Sequence, residues 1–319
     1  MKELFLNKLS ILNYRNLNGI DFDLNNNINC FIGNNGVGKT NALDAIYFLA
    51  MGKSYTNSIS SQNINHDASF SMIEGIFDKD GKSLQIQCHL ERDGKKTIKR
   101  NRKAYKKIAD HVGLIPVVVI SPNDIDLISE GSIVRRKFLD RTISQSDKNY
   151  LNNLVTYHRI LQQRNALLKH FSSNNSYSKD TLLTYNEKLV QFGNPIYEAR
   201  KTFIKTFHPL FHNRYQFISG SYEPVSVSYD SKLDDSSFET LLEESLQKDR
   251  MLQYTSVGPH KDDLSFQIND FPIKKFGSQG QQKTFLIALK LAQFDIIRNQ
   301  MNVLPILLLD DIFDKLDDS

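Results

Sequence analysis

The segment Gly33-Asn34-Asn35-Gly36-Val37-Gly38-Lys39-Thr40 fits the pattern G-x-x-x-x-G-K-[ST]. Its residue types suit a bound triphosphate. Glycines let several backbone N–H groups close on the phosphates without a Cβ in the way. Lys39 would reach the β- and γ-phosphates, and the Thr40 hydroxyl would ligate Mg²⁺. A second group of residues lies near the other end. Pro305-Ile306-Leu307-Leu308-Leu309 is an apolar run ending in Asp310-Asp311. A buried strand there would deliver Asp310 to the Mg²⁺ shell and leave Asp311 to polarise an attacking water. Upstream, Phe276-Gly277-Ser278-Gln279-Gly280-Gln281-Gln282-Lys283 opens a helix over 284–299. Ser278 and Gly280 would present N–H groups and a positive helix end to an anion.

The flanking sequence supplies elements that can hold these groups. Ile28, Cys30 and Ile32 alternate before the loop and predict a strand, with Cys30 a buried free thiol. Ala42, Ala45, Ile46 and Leu49 recur at helical spacing over 39–51. Residues 2–24 read as a β-hairpin, broken at Asn13-Tyr14-Arg15-Asn16-Leu17-Asn18-Gly19. Arg15 belongs either near the nucleotide or in a solvated turn. Residues 54–66 are a polar loop. Residues 70–92 alternate around Asp78-Lys79-Asp80-Gly81-Lys82, and a second turn falls at Glu91-Arg92-Asp93-Gly94, so this part is an antiparallel meander.

Residues 95–107 hold eight basic side chains and no acidic one, either a phosphate-backbone contact or a solvated hairpin face. Arg135, Arg136 and Lys137 pose the same alternative just inside a helix start. The fully apolar run Pro116-Val117-Val118-Val119-Ile120 reads as a buried strand. Residues 147–171 and 180–215 have helical patterns, with a stripe of Leu151, Leu154, Val155, His158, Leu161 and Leu168 and a polar break at 172–178. His158 is expected as a packed histidine. A strand near Val225 and an amphipathic helix over 236–253 follow.

Ser-Gln-Gly-Gln-Gln-Lys ahead of an apolar helix, then Leu-Leu-Leu-Asp-Asp, resembles the signature motif and Walker B segment of ABC-type ATPases. With Gly131-Ser132, Arg135-Arg136-Lys137-Phe138-Leu139-Asp140 and Gly258-Pro259-His260-Lys261-Asp262-Asp263-Leu264, the set closely resembles the RecF family of bacterial DNA replication and repair proteins, from Leu9 to Asp317. The resemblance implies an α/β ABC-type P-loop ATPase head with an inserted helical arm lobe. Residues 1–120 and 255–319 would form the ATPase lobe and 121–254 the arm. It implies ATP and Mg²⁺ as cofactors, with Gly33 to Thr40 on the phosphates, Thr40 and Asp310 on the metal, and Asp311 as catalytic carboxylate. Ser278 and Gly280 would act in trans across an ATP-dependent homodimer, and Asp314 to Asp317 would couple the protomers. Expected partners are single-stranded, double-stranded and gapped DNA, with RecO and RecR, in loading the RecA recombinase. Two positions depart from the family: Ile133 replaces a proline, and Lys261 an arginine, losing the bidentate fork. The family continues past Asp317 through another strand and a γ-phosphate-sensing residue, so slow hydrolysis at most is expected of these 319 residues.

Composition agrees with such a protein: 40% hydrophobic and 24% charged residues, net charge +4, and two cysteines, too few for a zinc framework. The N-terminal residues lack a signal-peptide pattern and no apolar run reaches bilayer length, so a cytoplasmic protein is expected. Two alternative classes fit less well. A chromosome-organising SMC ATPase needs long heptad coiled coils, whereas these helices are short and broken at 172–178. A transporter subunit would not carry a meander and an arm between phosphate loop and signature.

Overall fold

A computed structural model describes residues 2–57, 59–174, 177–220 and 223–311. The chain forms two compact units. One takes in residues up to Asn123 and from Gln293 onward, and the other is Asp124–Ala292. The sequence expectation placed 255–292 with the ATPase lobe. Here that segment packs with the helical unit, because its strand pairs within that unit's own sheet.

In the first unit, β1 (Leu4–Leu12), β2 (Ile20–Asp23), β3 (Phe70–Lys79), β4 (Lys82–Glu91), β5 (Lys96–Arg100) and β6 (Lys103–Ala104) form an antiparallel sheet in the order β2-β1-β3-β4-β5-β6. The meander was legible because inward and outward residues alternate along β3 and β4. The inward face covers α1 (Lys39–Met51), nine of whose residues are buried. Helix and sheet approach closely at Gly75, where a Cβ would lie 2.7 Å from Leu49 Cδ1. β7 (Val117–Ile120), buried throughout, pairs in parallel with β11 (Ile306–Leu309).

The second unit is mainly helical: α2 (Asp126–Ser129), α3 (Ser132–Ser146), α4 (Lys148–Ser173), α5 (Lys179–Ser219), α6 (Phe238–Glu244), α7 (Leu246–Leu252) and α8 (Ile273–Phe276). α9 (Gln279–Met301) runs on into the first unit's residues. β8 (Val225–Asp230), β9 (Asp263–Ile268) and β10 (Phe271–Pro272) make a small antiparallel sheet. Asp147 caps α4 by accepting from Tyr150 N, and Ser178 caps α5 by accepting from Thr181 N. The buried stripe of α4 runs through Tyr150, Leu154, Tyr157, Ile160 and Leu161. His158 and Val155 are exposed instead, which corrects the expected stripe: the helix turns Tyr157 inward, where its hydroxyl meets His260 Nδ1 at 2.7 Å. The expected helix over 236–253 is two short ones, and Met251 is exposed rather than packed.

The Gly258–Asp263 segment is a polar hub of this unit. Gly258 has φ 114°, and a Cβ there would meet Phe238 Cζ at 2.4 Å, so only glycine fits. Buried Arg200 donates to Pro259 O at 2.7 Å and to Asp140 Oδ1 at 2.8 Å. Asp262 accepts from Ser231 at 2.8 Å and from Tyr229. His260 Nε2 faces the Thr255 carbonyl at 2.9 Å. A carbonyl only accepts, so Nε2 carries the proton and Nδ1 accepts from Tyr157. No helix among the described residues is long and apolar enough to cross a membrane.

Burial pushes the His260 pKa down to about 3, against about 6.5 in an unfolded chain. Between those values the unfolded chain holds a proton that the folded one does not, so stability should fall as pH drops from 6.5 toward 3. Urea denaturation across that range should show the loss, and His260→Asn should flatten its slope by up to about 1.4 kcal/mol per pH unit.

Candidate nucleotide site and basic surface

The phosphate loop meets the requirements of an anion cradle. Gly36 and Gly38 have φ of 83° and 105°, in the left-handed region that glycine tolerates. A Cβ on Gly38 would lie 2.5 Å from Leu17 Cδ2 and 2.8 Å from Asn16 Oδ1, so the loop packs too tightly there for any side chain. Gly38 O accepts from Ala42 N at 2.9 Å and starts α1. No side chain caps that end and no acid lies in its first turn, which leaves backbone N–H groups and the positive helix end available to phosphate. Lys39 Nζ donates to Gly33 O at 2.7 Å and Asn34 O at 3.2 Å, within the loop that a nucleotide would enter.

Thr40 and Asp310 are brought together although 270 residues separate them: Thr40 Oγ1 donates to Asp310 Oδ1 at 2.9 Å. β11 positions the aspartate, since Asp310 N continues the parallel ladder to Ile120 O at 2.9 Å. Two hard oxygens at this spacing fit Mg²⁺, which binds through one or two protein oxygens together with phosphates and water. The Asp310 carboxyl is held above the ordinary range, chiefly by burial and then by the neighbouring Asp311 and Asp44 charges, against the lowering pull of Thr40 and Lys39. Asp311 follows, exposed, with φ 51°. Asp314 to Asp317 lie outside the described residues.

The expected strand at 28–32 is not formed. Ile28 and Ile32 are exposed, and so is Cys30, which was expected to be buried. A strand needs a neighbour for its N–H and C=O groups, and among the described residues none pairs with this segment. The segment borders an open crevice of about 540 Å³ that also includes Leu17, Phe22 and Val37.

Arg15 is neither solvated nor on the loop itself. It pairs with Asp44 at 2.8 Å and donates to Asn63, Ser54 and Thr56, bracing α1 against the polar 54–63 segment. Sequence reasoning left it undecided, and it missed Asp44, which also accepts from Tyr14 OH and Tyr55 N.

In the second unit, Ser278 and Gln281 form a reciprocal capping box. Gln281 N donates to Ser278 Oγ at 3.2 Å and Ser278 N to Gln281 Oε1 at 2.8 Å, so α9 starts five residues before the expected 284. The Ser278 oxygen serves the helix, and its O–H proton remains a donor for an anion.

The basic residues divide in two. Arg135 grips Asp263 bidentately at 2.7 and 2.8 Å, and Arg136 donates to Asp262 O. Both are engaged by this unit's own carboxylate and carbonyl, where the sequence had left DNA contact or solvent open, and Lys137 alone of the three is exposed. Lys96 is structural too. Its Nζ donates to Gly52 O at 2.8 Å at the C-terminal end of α1, where a cation offsets the helix dipole. Lys95, Lys99, Arg100, Arg102, Lys103, Lys106 and Lys107 are exposed on and beside the β5–β6 edge hairpin.

An α/β unit with a phosphate loop opening α1 and a strand-end aspartate hydrogen-bonded to its threonine defines a P-loop ATPase head. Residues 5–319 match the family model described as the RecF/RecN/SMC N-terminal domain. The chain is 55% identical over 314 residues to the DNA replication and repair protein RecF of Flavobacterium johnsoniae, covering 98% of this chain and 88% of that one. It is 46% identical over 316 residues to the protein of that name from Phocaeicola vulgatus, covering 98% and 84%. A solved structure described as the recombination mediator protein RecF-ATP in the RecFOR pathway superposes with a TM-score of 0.93 at 31% identity, covering 99% and 87%. An Smc head domain from Pyrococcus furiosus matches at TM-score 0.50 and 14% identity, a likeness of fold alone. The chain belongs to the RecF family.

A Mg²⁺ ion held by Asp310 would need that carboxylate ionised, and its pKa is raised. Mg²⁺-dependent ATP binding should therefore weaken on acidification at a higher pH than an ordinary aspartate would give. Titrating ATP affinity against pH with and without Mg²⁺ tests this, and Asp310→Asn should remove the Mg²⁺-dependent part.

Proposed function

We propose that this chain is an ATP-dependent DNA-binding protein of recombinational repair and replication, an ATP-gated dimeric clamp on gapped and junction DNA that helps load the RecA recombinase. The carrying observation is the assembled Thr40–Asp310 pair beside an uncapped phosphate loop. Support comes from a relative whose description reads RecF-ATP in the RecFOR pathway. ATP is the nucleotide and Mg²⁺ the metal, held by Thr40 and Asp310. When bound, the metal neutralises phosphate charge. Gly33 to Thr40 orient the phosphates, and Lys39 releases its loop carbonyls to meet them. Asp311 is the catalytic carboxylate, and being a shorter general base than glutamate it suits slow turnover. Ser278 and Gly280 act on the nucleotide of a second protomer. RecO and RecR are the proposed protein partners.

DNA lies on the β5–β6 edge hairpin in this reading. A sheet edge needs some charge to discourage pairing with other chains. Seven exposed cations with no acid between 95 and 107 exceed that need and suit a phosphate backbone, whose binding is driven by counterion release.

Sedimentation velocity with and without ATP–Mg²⁺ tests the clamp. ATP should convert monomer to dimer, Asp311→Asn should trap the dimer, and Ser278→Arg should abolish it. A chain that binds ATP yet stays monomeric throughout contradicts the trans site.

The surface has its own test. Joint alanine substitution of Lys99, Arg102 and Lys103 should weaken duplex binding and cut the slope of log K against log salt by roughly 3, at about 0.9 per phosphate contact. Arg135→Met should leave that slope unchanged and lower stability instead.

A further inference from the structure

Three hydrogen bonds run from the β1–β2 turn to the phosphate loop, and both ends fix their direction. Arg15 Nη1 donates to Asn41 Oδ1 at 2.8 Å. Asn41 Nδ2 donates to Asn16 Oδ1 at 2.7 Å. Asn16 Nδ2 donates to the Gly36 carbonyl at 2.7 Å. A guanidinium only donates, so Asn41 must turn its oxygen toward Arg15 and its amino group toward Asn16. Asn16 must then offer its oxygen to Asn41, which leaves the Asn16 amino group aimed at Gly36. That carbonyl only accepts, so the far end agrees with the near one. Reversing either amide would set two donors or two acceptors against each other.

The start of the relay is firmly held. Arg15 has φ 52°, its N–H donates to Asn63 O at 3.0 Å, and its guanidinium is paired with buried Asp44 at 2.8 Å. The far end is more open: Lys39 holds the Gly33 and Asn34 carbonyls, and at Gly36, with φ 83°, a Cβ would meet nothing within 4 Å. The side-chain contact on Gly36 is the Asn16 amide at its carbonyl.

We propose that Asn16 is a positioning residue for polyphosphate binding. It holds the Gly36–Val37 peptide with its carbonyl turned to the β1–β2 side. A trans peptide places N–H and C=O on opposite edges, and the described chain has no cis peptide. The Val37 N–H is thereby held on the edge facing away from Asn16, as a preset donor to a nucleoside di- or triphosphate. Asn41 orients the Asn16 amide, and Arg15 orients Asn41. This inference rests on the nucleotide reading of the loop.

The test is titration of a fluorescent ADP, with competition by ATP, on the full chain carrying Asn16→Ala, Asn41→Ala, both together, or Lys39→Ala. Asn16→Ala should raise the dissociation constants for ADP and ATP about tenfold. Asn41→Ala should raise them less, and the double variant should be no worse than Asn16→Ala, because Asn41 acts through Asn16. Hydrogen exchange of the 33–38 segment should quicken in Asn16→Ala, while the melting temperature without nucleotide holds. Wild-type affinity in Asn16→Ala, alongside lost binding in Lys39→Ala, overturns the proposal, as does simple additivity in the double variant. Binding left intact by Lys39→Ala would instead overturn the nucleotide reading. If circular dichroism shows Asn16→Ala unfolded, Asn41→Ala decides: a loss of affinity supports the relay, and an unchanged affinity overturns it.

Discussion

The site depends on one hydrogen bond between residues far apart in sequence, from Thr40 Oγ1 to Asp310 Oδ1. Each partner sits on a different kind of element. Thr40 lies in the first turn of a helix whose N-terminal end is left uncapped, and Asp310 at the end of a strand whose register is set by β7. Neither segment can shift alone. A slip of one residue along the parallel ladder would turn Asp310 to the other face of the strand. The six-stranded sheet holds α1 from the other side, closely enough that β3 carries glycine where Leu49 approaches. The antiparallel meander thus positions the helix, and the short parallel pair positions the acid.

Much of this was legible in the sequence because it rests on local chemistry. The phosphate loop and the β3–β4 hairpin each follow from residue types at fixed short spacing, whereas the Ser278–Gln281 capping box was missed and the helix was expected only from 284. The parts that were not legible share a different cause. Alternation at Ile28, Cys30 and Ile32 signals a strand only when a neighbour completes its ladder, and alternation carries no information about neighbours. On α4, Tyr157 and His158 are adjacent and both amphipathic. What decides between them is the partner awaiting Tyr157 at His260, about a hundred residues on.

The basic residues make the same point. Count and density marked 95–107 and 135–137 alike. The structure separates them by partner: Arg135 and Arg136 meet the carboxylate and carbonyl of 262–263, Lys96 meets a helix end, and the remaining cations of the edge hairpin are exposed. Arginine at these half-buried positions is chemically apt, since its planar fork can satisfy two acceptors at once while a lysine is a point charge. Positive charge by itself says nothing of partner, and only geometry sorts structural cations from free ones.

The helical unit is held by polar groups more than its composition suggests. Arg164 with Asp249, and Arg200 with Asp140, are ion pairs that are wholly or largely buried. Such pairs contribute little net stability against an apolar replacement, yet losing one partner costs about 3–5 kcal/mol because it leaves a buried charge unmet. A packing of α4 and α5 that separated either pair would strand a guanidinium in the interior. Ser278 follows a related logic on α9. Its oxygen is committed to the capping box and its proton is not, so the group that fixes the helix start stays competent to donate to an anion. A residue can serve both structure and ligand when the two draw on different atoms, and the loop is arranged likewise, giving the Gly36 carbonyl to Asn16 while the next N–H lies on the opposite peptide edge.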